Sequence, residues 1–255
     1  MDEIERDRID ALRIKAINDL QYCFDAMEPK KQKLLAYWIS DYARFLGKES
    51  DFDPQKLISY KRGAVVKVHL GFRIGSEEGG LHYAVVIDDN ARSSPVATIV
   101  PLSSVKPHTD LERLHLSKIF LGDQIYRALN QKIEDATKEA KEIRTSLFAR
   151  IAAMEREGAS LGTKTEAEAR RVAIDSIARS ADSLNEKIEN IQKMQNEIAK
   201  MKCGSIALVG QITTVSKIRI YDPLYPNDVL AKIRLSEEAM DKIDEKIRSL
   251  FTKKS

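Results

Sequence analysis

Ser205-Ile-Ala-Leu-Val-Gly-Gln-Ile-Thr-Thr-Val215 is the stretch whose reading decides the fold of this 255-residue chain. It is apolar and β-branched, so it predicts short strands. It also follows a long segment, 122–201, that has helical periodicity on two arms. On the far side of that segment, 61–118 has the same strand character. Ala64-Val-Val-Lys-Val-His-Leu70, Ala84-Val-Val-Ile87 and Ala97-Thr-Ile-Val100 are short apolar runs parted by Gly, Asn, Ser and Pro clusters. Strands of this length between turn residues predict a small barrel or sandwich.

The interrupting segment carries the cleanest periodicity. Ile125, Leu129, Ile133, Ala136, Ala140, Ile143, Leu147, Ile151 and Met154 advance by threes and fours, and Ile174 to Met201 repeats the pattern. Glu157-Gly-Ala-Ser-Leu-Gly-Thr-Lys164 breaks the two arms. This predicts an antiparallel coiled-coil hairpin, each arm on the order of 50 Å long at 1.5 Å per residue. Its residues read as a packed seam and a solvated face. A hairpin begins and ends at nearby points, so it is tolerated as a loop insertion. The segments 61–118 and 203–251 then form one split domain of about 107 residues, a normal size for a single core. Residues 1–55 read as a helical extension in which Pro29 opens and Gly47 closes an amphipathic helix. Ser236 caps a last amphipathic helix, after a loop at 222–228.

Composition bounds the function. Hydrophobic residues make up 43% and charged residues 32%, which suits a water-exposed globular chain. No run of 18 apolar residues occurs, and the charged N-terminus lacks a signal-peptide core, so no membrane partner and a cytoplasmic location are expected. Cys23 and Cys203 have no metal spacing and fit a reducing compartment. Net charge is −2 over 1–60, +2 over 61–120, 0 over 121–200 and +3 over 201–255. The strand-rich pieces are thus mildly basic, which permits a polyanion partner.

Lys61-Arg-Gly-Ala-Val-Val-Lys-Val68, Gly75-Ser-Glu-Glu-Gly-Gly80 and Ala84-Val-Val-Ile87 resemble, in that order, the opening strand, glycine-rich loop and second strand of PemK/MazF toxins. Ser93–Ser103, Ser205–Val215 and the helix from Leu235 resemble later elements of the same family. The resemblance implies an α+β fold: an SH3-like PemK/MazF β-barrel, interrupted here by the coiled-coil hairpin and preceded by the helical extension. It also implies a homodimer, a protein antitoxin, and a metal-independent endoribonuclease (mRNA interferase) acting on single-stranded RNA. In that chemistry the substrate's 2′-hydroxyl is the nucleophile, and cyclic phosphate and 5′-hydroxyl ends result. A base, an acid and donors for the phosphorane charge are required.

Carried onto this chain, the resemblance assigns catalysis to Glu77, His82 and Ser103. Glu77 matches the loop glutamate, and Ser103 replaces the usual Thr. His82 stands where most members have Arg. Histidine both gives and takes a proton near neutrality, whereas arginine only donates. Arg73, Ser76, Arg92, Gln211 and Thr213 are the expected RNA contacts. Gly210 stands where an acidic residue often precedes the Gln, and Thr213 where Arg is frequent. No cofactor and no metal are expected, since His69, His82, His108 and His115 lack ligand spacing and no phosphate-loop motif occurs. The alternative from another class is a non-catalytic RNA- or protein-binding module, including gyrase-poison-like action through the last helix.

Overall fold

The computed structural model describes residues 2–157, 164–202 and 204–253. The chain divides into two compact units, Met1–Phe52 with His69–Leu81, and Asp53–Val68 with His82–Ser255.

In the first unit, α1 spans Glu3–Asp25 and α2 spans Pro29–Lys48. The Asp2 carboxylate caps α1 by accepting the Glu5 N–H at 2.7 Å. Helix α1 buries none of its residues. Gln32 Nε2 donates to the Phe24 and Met27 carbonyls at 2.8 and 3.0 Å, which ties the end of α1 to α2. Leu35 and Phe45 are buried, and Trp38 stacks on Tyr42 and on His69, with ring centroids 5.5 and 4.7 Å apart. Gly47 was expected to stop α2. Instead the helix runs through it to Lys48, and a 3₁₀ turn at Glu49–Asp51 follows. Gly47 does not adopt the positive φ that a terminating glycine supplies.

The second unit carries most of a seven-stranded antiparallel sheet that is not closed. Its strands are β1 Val65–His69, β2 Leu81–Val86, β3 Val96–Ser104, β4 Lys118–Gly122, β5 Ser205–Leu208, β6 Thr213–Ser216 and β7 Ile220–Asp222. They lie in the order β4-β5-β3-β2-β1-β7, with β6 also paired to β3. The strand segments before and after the long helical stretch therefore share one sheet, through Leu102↔Ala207 and Ser103↔Ile206. After β6 the chain makes a 3₁₀ turn at Lys217–Arg219, and strand resumes at Ile220. Edge strand β4 was not anticipated; its five residues follow His115-Leu-Ser117 with no clear alternation in the sequence.

Helices α3 (Gln124–Glu157) and α4 (Lys164–Lys200) fill the interrupting segment. They run antiparallel, as the Lys187–Glu139 ion pair and the bonds from Arg150 to Ser176 and Ser180 show. The expected turn falls on 158–163, outside the described residues, as does Cys203. The root of α3 belongs to the sheet core: Ile125 packs with Val65, Val85, Val100, Leu102 and Val209. Helix α5, Glu237–Phe251, is capped by Ser236 as expected, with Oγ accepting the Ala239 N–H at 3.2 Å. It sends Ala239, Met240 and Ile243 into the same core. Among the described residues no helix is long and apolar enough to cross a membrane.

Candidate functional site

The glycine-rich loop expected to carry Glu77 is closed at its neck by Leu70 N–H to the Gly80 carbonyl at 2.7 Å and Gly80 N–H to the Gly71 carbonyl at 2.8 Å. A Cβ on Gly79 would stand 2.8 Å from the Gly71 oxygen, so only glycine fits that crossing. Within the loop the Glu77 carboxylate faces Arg73 at 3.6 Å, and Arg73 Nε donates to the Leu70 carbonyl at 2.9 Å. Ser76 is exposed on the same loop.

His82 and Ser103 lie in the sheet unit. Tyr83 pairs with Leu102 across β2 and β3, His82 precedes the one and Ser103 follows the other, so both flank that pair on one side. Alternation turns both side chains to the face opposite Tyr83 and Leu102. The His82 Nδ1 stands 3.5 Å from the Leu102 carbonyl oxygen. Glu77 and His82 belong to different compact units.

The remaining expected contacts are dispersed. Arg92 Nε donates to the Leu57 carbonyl at 3.0 Å. Gln211 ends a 3₁₀ turn at Val209–Gln211, and Thr213 pairs with Ile99 at the start of β6. The turn explains the glycine before Gln211. The Gly210 N–H donates to the Ser117 carbonyl at 3.1 Å, and a Cβ there would lie 2.7 Å from the Ser117 Cβ. An acidic side chain has no room at that position.

Two polar clusters were not found by sequence reasoning. In the first, Lys67 Nζ and Tyr83 Oη both donate to the Glu197 carboxylate of α4, the latter at 2.5 Å, with Lys67 Nζ 5.6 Å from the Tyr83 ring centroid. Burial alone raises the Glu197 pKa, but the bonds from Lys67 and Tyr83 outweigh it and hold the carboxyl below its ordinary range. Tyr83 is pushed up, by burial first and then by its bond to Glu197. Asp222 lies opposite Lys67 across β1 and β7, and burial raises its carboxyl. The sequence signal was a charge in the seam: Glu197 sits three residues after Met194 and four before Met201. In the second cluster, Lys217 is 1% exposed. Its Nζ donates to the Ala91 and Arg92 carbonyls at 3.0 and 3.4 Å and lies 5.6 Å from the Tyr60 ring centroid.

Among the described residues no group of three or more His, Cys, Asp or Glu is arranged to hold a metal ion. No protein-family model matches this chain, and no curated protein matches it.

Proposed function

We propose that this chain is a toxin-like endoribonuclease that cleaves single-stranded RNA through the substrate's own 2′-hydroxyl, without a metal. In this reading the open sheet is the SH3-like barrel of the PemK/MazF type, and α3 with α4 is a coiled-coil hairpin inserted into it. A homodimer and a protein antitoxin belong to the same reading. The observation that carries it is that His82 and Ser103 flank the same side of the Tyr83–Leu102 pair on two adjacent strands.

The chemistry follows from those groups. His82 Nε2 takes the proton of the 2′-hydroxyl, and the oxygen attacks phosphorus. The Ser103 hydroxyl donates to a phosphate oxygen as charge develops there. The imidazolium then returns a proton to the departing 5′-oxygen, leaving a cyclic phosphate and a 5′-hydroxyl. Purified protein incubated with a long RNA in EDTA is expected to generate 5′-hydroxyl ends. His82→Ala should slow their appearance by roughly 10²–10⁴-fold, the range for losing a general base. Equal inertness of wild type and variant, measured by end mapping, sinks the enzymatic reading.

A second reading rests on a specific observation. Both arginines expected to hold phosphates are engaged internally, Arg73 by Leu70 and Glu77 and Arg92 by Leu57. That favours a non-catalytic module that binds RNA or a protein partner. Binding without cleavage in the same assay selects it.

A further inference from the structure

Edge strand β4 and helix α5 enclose an open groove of about 370 Å³, lined by Lys118 and Ile119 on one wall and Lys242, Glu245, Lys246 and Ser249 on the other. Lys242 is satisfied by Glu238 at 2.6 Å. The amines of Lys118 and Lys246 make no hydrogen bond or ion pair with any described residue. Lys246 is nonetheless half-buried. Two unpaired ammonium groups thus stand in one concavity against a single carboxylate, Glu245, and leave one positive charge uncompensated. One phosphodiester carries the matching charge, and its oxygens accept from both amines. The β4 wall includes the apolar Ile119, which packs on the sheet core.

The groove is continuous with an expected RNA contact. The Val209–Gln211 turn packs against both α5 and β4, so Gln211 stands on the turn that abuts both walls. We propose that the Lys118–Lys246 groove seats a backbone phosphate of the single-stranded RNA strand as it runs past Gln211. This rests on RNA being the ligand of the sheet unit, and it adds a subsite that the His82–Ser103 chemistry does not use.

The test is the affinity of a fluorescein-labelled single-stranded RNA in EDTA, measured against salt for wild type, Lys118→Gln/Lys246→Gln and Lys118→Arg/Lys246→Arg. The Gln pair should lower affinity about tenfold and reduce the slope of log K against log salt by about 0.7, the value for one lost phosphate contact on a single strand. The Arg pair should restore both. An unchanged slope in the Gln pair while cleavage persists overturns the groove and leaves the nuclease reading standing. Groove-dependent binding with no cleavage does the reverse. Orthophosphate that binds through Lys118 and Lys246 without changing the RNA slope would make this a small-anion site, and wild type that binds no RNA at all also overturns the proposal.

Discussion

Lys217→Ala is expected to destabilise the sheet unit by about 3 kcal/mol, the sum of a buried cavity and the amine's lost bonds to two carbonyls. The side chain is 1% exposed, and its amine donates to the Ala91 and Arg92 oxygens. Lys217→Met keeps the apolar stem above Tyr60 and should cost about half as much, since only the polar loss remains. Urea denaturation with an unchanged m-value reads both; a loss below about 0.5 kcal/mol for the alanine variant would contradict the burial argument. Burial also lowers the Lys217 pKa, with Asp88 opposing it. The unfolded chain therefore holds this proton more tightly than the folded one. Stability rises with pH wherever the unfolded state binds more protons. Wild type should thus gain on Lys217→Met as pH climbs toward the ordinary lysine value of 10.5. A pH-independent difference between the two would show that the amine is not desolvated.

Glu197→Ala should cost about 2 kcal/mol, because it strands Lys67 and the Tyr83 hydroxyl together. Full burial would make such a loss 3–5 kcal/mol, but the Lys67 and Glu197 side chains keep 24% and 14% exposure and water screens part of it. Glu197→Gln retains an acceptor for Tyr83 and should cost less. The folded carboxyl lies below its ordinary value of 4.5, so the stabilisation is fully present above that pH and is lost as pH falls through the lower folded value. Chemical denaturation of wild type and Glu197→Gln from neutral to acid pH should show their difference closing below about pH 4.5. Convergence at neutral pH instead would mean that the carboxylate carries no folding energy. The contact also bears on the long helices. An α4 whose Glu197 is bonded to β1 and β2, opposite an α3 rooted in the core through Ile125, is anchored to the sheet rather than merely tethered.

Much of the architecture was legible before any coordinates. The helices α3 and α4 follow the threes and fours of Ile125 to Met201, and α5 starts at the Ser236 cap. The strands on either side of the helical stretch join one sheet, as the return of β-branched residues at Ser205–Val215 predicted. Strand β4 and the turn at Lys217–Arg219 were not legible. Five residues at a sheet edge need no alternation, and a lysine in an apolar run gives no sign that a Tyr60 ring and two carbonyls await it. Of the expected site, His82 and Ser103 flank one side of the Tyr83–Leu102 pair, and Arg73 meets Glu77, while Arg92 is spent on the Leu57 carbonyl.

Sequence alone therefore determined the long helices and the main strand runs, because periodicity, caps and β-branching act between residues a few positions apart. Only the tertiary structure decided where the charges go. Lys67 finds Glu197 at a separation of 130 residues, and Lys217 finds Ala91 at 126. The cost of burying an amine or carboxylate depends on what lies within a few ångströms, and no local pattern records that.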